Sequence, residues 1–538
     1  MKTIFSILAS FLILCSCQPA KDSGEKASHL GDLQHEFNIS EEAAVPFNKG
    51  LLLLHSFEYE DARESFQEAI KADPGEMMAY WGETMSYYKA LWGLQDIEAG
   101  REVMNKLGKT KEERLEKADN ELEKDFWLGI EILYGEGELA DRNKAYAKHM
   151  EALYQKHPGN QEVAAFYALG LMWSVPLGRD EEVFNKSAKV AEGILEENPN
   201  HPGAIHYIIH AYDDPKYAQF ATEAANKYAK TAPDAAHALH MPSHIYLAMG
   251  MWNDVVSSNE ASYAASVKRM ELKGLDDKAR GYHSYSWLHY GYLQQGRYED
   301  ARKLLDDMMT YTERSPSNGA RSYLISMQNM QLIATGKWAQ KAAPMFVDYE
   351  DLALTTKAQQ NFFKSMLAFQ QNDVAAIREE IKKTETLYDV AKLEVSAGGI
   401  ARCSAGPTRY APNKESLNRA NIIIHQMKAM AALLEKDNKN AETNFQKAAE
   451  LETNSEYSYG PPDIPYPSFE LYANWLMENE RYEEAIVQYD LSLKRAPGRA
   501  MALNGKMNAL KKLGKTEEAK ETQKDLNAFW KGEQIASI

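Results

Sequence analysis

From about residue 41 onward, apolar and small residues recur three and four positions apart, with charged residues between them. The stretch "FEYEDARESFQEAIKADP" shows the rule: Tyr59, Ala62, Phe66 and Ala69 fall on one side of a 3.6-residue period, and Glu, Asp, Arg and Lys fall on the other. Alternation with a period of two is nearly absent. Breaks fall at short Pro, Gly and Asn clusters. The pattern predicts an all-α chain of short helices joined by tight turns.

The same spacing returns along the chain. "ERYEEAIVQYDLSLKRAP" carries Tyr482, Ala485, Tyr489 and Pro497, and "GKTEEAKETQKDL" carries Gly514 and Ala519. "KNAETNFQKAAEL" adds Ala441, Phe445 and Ala448, and "QQGRYEDARKLL" adds Gly296, Tyr298 and Ala301. Ala485 and Ala519 are 34 apart, as are Pro199 and Pro233. This resembles the tetratricopeptide repeat, in which small residues let two helices approach and proline stops the second. The expected fold is a tetratricopeptide-repeat superhelix, an α-solenoid of helical hairpins with a concave groove. It covers 41–538, with a His-rich central groove over 201–290 and C-terminal repeats over 420–530. The signal is weakest between about Leu107 and Pro199, where helical hairpins are still expected. Two insertions break the period, "ELKGLDDKARG" after Met270 and "NSEYSYGPPDIPYPS" from Asn454 to Ser468. The second has two readings, a loop packing its tyrosines over the groove or a plain surface loop.

Histidines fall into this register. In "HPGAIHYIIHAYDD" and "HALHMPSHIY", His206 and His210 precede His240 and His244 by 34. Counted back from the turn at Gly250, His240 and His244 take the fifth and ninth places, and His237 the second. His206 and His210 take the fifth and ninth in the hairpin before, and His283 takes the second in the hairpin after, followed by Ser286 and Tyr290. Residues four apart share a helix face, so these imidazoles are predicted to face one patch of groove. The candidate metal ligands are His206, His210, His240 and His244, joined by His237, His283 and Asp213. Imidazole suits zinc, copper or iron. Asp213 would serve as ligand, as acceptor behind a ligand, or as base; Met241 would be a soft ligand for copper. Asp214, Met241, Ser286 and Tyr290 are expected to line the groove. Pro242 would kink the second helix or start it. The competing readings are packing histidines, with His289 at a core place, and a metal-free groove that hydrogen-bonds a peptide.

Charge and cysteine narrow the chemistry. A formal net charge of −17 argues against nucleic-acid binding. Three cysteines, two of them Cys15 and Cys17, exclude a thiolate metal cage and leave Cys403 alone in the remainder. No phosphate loop, GxSxG or HExxH motif occurs, so no catalytic residue is named and enzymatic activity stays open. "MKTIFSILASFLILCSC" reads as a secretory signal over 1–17, and Leu14-Cys15-Ser16-Cys17 resembles a bacterial lipobox that would lipidate Cys17. An ordinary cleaved signal and a membrane anchor are the alternatives. Residues 18–40 read as a flexible tether. Gln18 after Cys17 favours the outer membrane.

Taken together, "FNKGLLLLHSFEYEDARESFQEAIKADPGEMMAYWGE", "HPGAIHYIIHAYDDP", "HALHMPSHIYLAMGMWNDVVSSNEAS" and "YHSYSWLHYGYLQQGRYEDA" resemble a group of uncharacterised bacterial tetratricopeptide-repeat proteins. The resemblance covers most of the chain after the signal and implies the fold, not an activity. The resulting expectation is an envelope lipoprotein that binds a peptide or protein ligand and holds a metal in its groove. The alternatives are a metalloenzyme, hydrolytic or oxidative, and a metal-free scaffold.

Overall fold

The computed structural model describes residues 29–176, 178–336, 343–396 and 411–532. Among these, 25 α-helices follow one another, and the paired strands are two-residue pieces, Tyr88–Lys89 and Leu94–Gln95. The chain is an all-α solenoid of helical hairpins. Helices Glu121–Leu133, Leu139–Lys156, Gln161–Trp173 and Glu181–Glu197 continue it through the stretch where the repeat signal fades.

One turn geometry recurs between paired helices. A residue in the left-handed region closes the first helix, and the next N–H donates to the carbonyl five residues back: Glu58 to Leu53, Met251 to Tyr246, Arg297 to Tyr292, Lys515 to Leu510. This satisfies carbonyls that the helix end would leave bare. Gly250 and Gly296 fill the left-handed place at φ 71°, whereas Phe57 fills it at φ 56°.

Packing between hairpins follows the small-plus-aromatic logic of the sequence. Ala62, Ala301, Ala441 and Ala485 are fully buried. The Phe66 ring lies on Gly82 of the next helix so closely that an added Cβ would come within 2.3 Å of it. Tyr489 lies on Gly505 in the same way, at 2.2 Å.

The solenoid closes on itself. The C-terminal repeats return to the middle of the chain: Trp252 Nε1 donates to Gly498 O at 2.6 Å, Arg499 donates to the Tyr290 hydroxyl at 2.7 Å, and the N–H of Lys531 donates to Gln295 O at 2.8 Å. The first hairpin, Glu41–His55 with Tyr59–Ala72, also meets the middle, where Arg269 Nε donates to Asp61 at 2.8 Å. The Asn454–Ser468 insertion crosses between these parts. Its Gly460 backbone lies on the Trp287 ring, and Arg495 holds the Ser455 and Glu456 carbonyls at 3.3 and 3.1 Å. It is therefore more than a plain surface loop. The other insertion begins where the helix Trp252–Lys273 ends on Gly274, and it stays at the surface.

The tether expected over 18–40 does not hold for residues 29–40. Residues 29–40 lie on the solenoid, with Phe37 buried among Phe47, Trp81 and Phe126 and the Asp32 N–H donating to Asn200 O at 3.1 Å. Burying one aromatic ring outweighs the polar composition around it. The 1–17 signal, Cys17, residues 18–28 and Cys403 lie outside the described residues. No helix among the described residues is long and apolar enough to cross a membrane.

Two expected outcomes follow from the packing. Gly82→Ala should cost about 1–3 kcal/mol in urea unfolding, because overpacking against Phe66 exceeds the gain in helix propensity; pairing it with Phe66→Leu should cost less than the sum of the two single changes. His289 is fully buried, with Nε2 3.1 Å from Gln331 Oε1, and burial pushes it down to about 3 despite that hydrogen bond. Its neutral form belongs to the fold, so its contribution is complete above the unfolded value of about 6.5 and is lost as pH falls toward 3. Between pH 6.5 and 5 that amounts to roughly 2 kcal/mol. Denaturant titrations of His289→Gln should show a pH dependence flatter than the parent by that amount.

Candidate metal centre

The helix Pro202–Ala211 starts on a cap: His201 Nδ1 accepts from the Ala204 N–H at 3.2 Å, and Pro202 occupies the first turn, where it needs no N–H partner. His206 and His210 then share one face, with ring centroids 4.7 Å apart. At the second motif Pro242 starts a new helix. Ala236–His240 and Pro242–Ala248 are separate, but Met241 between them keeps helical angles (φ −53°, ψ −37°). The chain therefore passes the break nearly straight, and His240 and His244 still meet with ring centroids 4.9 Å apart.

The six imidazoles gather as expected, but in a different grouping. His206 and His210 join His237, and His240 and His244 join His283; within each set one ligand atom per residue lies within 4.8 Å of the others. The four-ligand set His206, His210, His240 and His244 is thus divided between two triads. The reason is the superhelical step: the second place of each hairpin reaches the fifth and ninth places of the hairpin before it. The triads touch along one edge, with His210 and His244 rings 6.0 Å apart and His237 and His240 rings 6.1 Å apart.

Hydrogen bonds behind the rings fix which nitrogens are free. His206 Nδ1 donates to the His55 carbonyl at 2.7 Å. His244 Nδ1 donates to the Asp213 carboxylate at 2.6 Å. His240 Nδ1 lies 2.7 Å from Asn259 Oδ1, and the Asn259 amide is oriented by its own donation to Val255 O at 2.7 Å, so the histidine is the donor. Each of these rings is left with an Nε2 lone pair. The His206, His210 and His237 Nε2 atoms are buried with no hydrogen-bond partner. The His240 and His244 Nε2 atoms face each other at 3.1 Å. Burial first, and neighbouring imidazoles next, hold His206, His210, His237 and His240 well below the ordinary imidazole range, so they are neutral near pH 7. His283 is the exposed member, with Nδ1 3.1 Å from the Tyr323 hydroxyl.

Aromatic rings wall both triads. Phe57 packs at 4.3 Å on His206 and at 5.7 Å on both His210 and His237. Trp287 packs at 4.8 Å on His240 and 4.5 Å on His244.

A third cluster, His55, Glu162 and His201, lies beside the first triad and is fully buried. It is a structural staple. The Glu162 carboxylate accepts from His55 Nε2 at 2.9 Å, and His55 Nδ1 meets the Tyr207 hydroxyl at 2.9 Å. His201 spends one nitrogen on its helix cap and brings the other to 3.4 Å from Glu162. Burial alone would raise Glu162, but the two imidazoles hold its carboxyl below the usual range. Both His55 ring nitrogens are engaged, whereas His201 Nε2, which carries the proton while Nδ1 accepts the cap N–H, faces Glu162 without a hydrogen bond.

The remaining expected residues lie elsewhere. Asp213 is the acceptor behind His244, not a ligand and not a free base. Asp214 accepts from the Lys216 N–H at 2.8 Å and shapes the turn after the helix. Met241 is fully buried in the hydrophobic core, because the short link before Pro242 turns its side chain inward. Ser286 is buried and donates to the His283 carbonyl of its own helix at 2.9 Å. Tyr290 is buried where the C-terminal repeats close on the middle. Conversely, His55, Phe57, Glu162, Asn259 and Trp287 were not among the site residues expected from sequence, since the contacts that bring them to the centre are not set by local spacing.

A sequence-family model described as "Tetratricopeptide repeat" matches residues 47–76. Comparison with curated proteins returned no match. Among solved structures, the chain is similar to the human IFIT1 dimer with m7Gppp-AAAA, at 13% identity and TM-score 0.32 over 92% of this chain and 96% of that one. It is similar to the Cut9–Hcn1 hetero-tetramer of the APC/C, at 11% identity and TM-score 0.34 over 92% and 74%. It is similar to yeast Tom70, at 14% identity and TM-score 0.30 over 90% and 96%. The chain is an α-solenoid of helical hairpins with a tetratricopeptide repeat at 47–76, and the step between its neighbouring central hairpins gathers six histidines into two triads of like construction.

Proposed function

We propose that this protein is a solenoid binding module whose histidine triads hold transition-metal ions. The observation that carries this reading is the pair of Nε2 atoms of His240 and His244, 3.1 Å apart with both Nδ1 atoms already donating. Two lone pairs at that distance repel unless something positive lies between them. Two imidazole nitrogens on one tetrahedral ion, each about 2.0–2.1 Å from it, stand at about this separation. Fixing each ring through its far nitrogen, by a carboxylate, a carbonyl or an amide, is the usual support for a metal-bound imidazole. The alternative occupant is a shared proton.

Tetratricopeptide solenoids are protein-interaction scaffolds, so a peptide or protein partner belongs to the proposal, on surface that the closed groove leaves open. Nucleic acid does not fit a chain of net charge −17. A hydrolytic enzyme with Asp213 as base is disfavoured, because that carboxylate is engaged by His244. The proposal keeps the envelope location, carried by the lipobox-like Leu14-Cys15-Ser16-Cys17.

Protein purified without a histidine tag should contain stoichiometric metal by mass spectrometry. His240→Ala/His244→Ala should lower that content while far-UV circular dichroism stays helical. A metal-free protein that takes up neither zinc nor copper on dialysis would leave the shared proton as occupant and end the metal reading. For the anchor, Cys17→Ala should move the chain from the detergent-extracted membrane fraction to the soluble one; unchanged fractionation would remove the lipid.

A further inference from the structure

The two triads are the same device built twice. Each takes two histidines four apart, on the helix Pro202–Ala211 in the first and across the Met241 junction of two short helices in the second, and a third from the hairpin that follows: His206, His210 and His237, then His240, His244 and His283. The first two members of each are offset by 34. His237 and His283 are offset by 46, a lengthening over 34 that falls at the insertion after Met270. Each triad carries its own aromatic wall, Phe57 on the first and Trp287 on the second. They share an edge, with rings of opposite triads 6.0 and 6.1 Å apart.

Resting on the metal reading above, we infer that the two triads hold two copper ions side by side, and that the pair binds dioxygen. The donor set points to copper. All six donors are imidazole nitrogens, with no thiolate, and the two nearby carboxylates are engaged behind them: Asp213 accepts from His244 Nδ1 and Glu58 accepts from the His237 N–H at 2.8 Å. Non-haem iron sites of the facial-triad type use a carboxylate among their ligands, and magnesium, calcium and manganese prefer oxygen. Among divalent ions on nitrogen ligands, copper binds most tightly. Three neutral imidazoles also suit cuprous copper at low coordination number, which leaves a face of each ion open toward the other. In the reaction each cuprous ion gives one electron. Dioxygen takes both, becoming peroxide bound to two cupric ions; no proton moves and no other reductant is needed. The walls of Phe57 and Trp287 keep water from the bound oxygen, and the exposed side at His283 is the way in.

The test uses the full chain stripped of metal, loaded with a cuprous acetonitrile complex under nitrogen, freed of unbound copper and then exposed to oxygenated buffer. The expected result is two copper ions per chain, uptake of one dioxygen per two copper, and cupric resonance near zero, because adjacent cupric spins couple. His237→Ala and His283→Ala, each removing the third ligand of one triad, should bind one copper, take up no dioxygen and show one cupric spin per chain. Circular dichroism matching the parent establishes that each variant is folded. Two copper ions with two full cupric spins would mean independent sites. One copper per chain in the parent would mean a single site. Either overturns the pair while leaving the metal reading intact, whereas a chain that binds no copper and no zinc overturns both.

Discussion

The buried carboxylate of Glu162 is the constraint on which the centre depends. It is fully buried, and an isolated charge there would cost several kcal/mol. His55, from the first hairpin, and His201, from the cap of the helix Pro202–Ala211, supply the compensation. The pairing therefore joins three helices that are far apart in sequence. It has a direct consequence for the site. Once the His55 ring is fixed by Glu162 and Tyr207, its backbone carbonyl is fixed too, and that carbonyl receives His206 Nδ1 at 2.7 Å. One buried carboxylate–imidazole staple thus sets the end of the solenoid against its middle and sets the tautomer of the first ligand.

The same hairpin carries a backbone cost at the right place. The turn after His55 demands a left-handed residue, a place that glycine takes at Gly250 and Gly296. Here it is Phe57, and a bulky side chain at positive φ is held only where the surroundings over-determine it, at about 1–3 kcal/mol. The ring it delivers contacts three histidines. The strain is thus offset by packing that dries the first triad. Trp287, on an unstrained helix, does the equivalent for the second, held from behind by the Gly460 backbone of the Asn454–Ser468 loop.

Much of this was legible in the sequence because repeats write packing into spacing. Ala62, Phe66, Ala485 and Tyr489 announced the hairpins, and the 34-residue offset of the histidine pairs announced a shared patch. What periodicity could not give is which neighbours meet across a superhelical step. It paired His206 and His210 with their equivalents His240 and His244, whereas the hairpin twist brings His237 to the first pair and His283 to the second. Nor could it foresee closure. Glu162 and His55 are 107 residues apart, and Arg499 and Tyr290 are 209 apart, so no local pattern marks them. Tyr290 was placed by closure in an interface rather than in the groove. Pro242 was legible as an interruption, but its mildness depended on Met241 keeping helical angles, which the residue types do not specify.

A repeat protein reaches a two-part centre by a short route. If one hairpin presents a ligand pair at its fifth and ninth places and the next presents a third at its second place, repeating the unit once produces a second set beside the first. No new geometry is required, because neighbouring repeats already pack in a fixed relation. The insertion after Met270 tests that logic within this chain. It lengthens the loop before Tyr282 and leaves the helix that carries His283 in register with the hairpin before it, since the added residues stay at the surface. Loop length costs little entropy, while a shift in helix packing would have cost the triad. The third ligand is therefore displaced in sequence and not in its role, and the two triads differ chiefly in what stands behind them: a backbone carbonyl for the first, and a carboxylate and an amide for the second. A carboxylate behind a ligand raises its basicity more than a carbonyl does, so two ions in equivalent cages would still differ in affinity and in ease of oxidation.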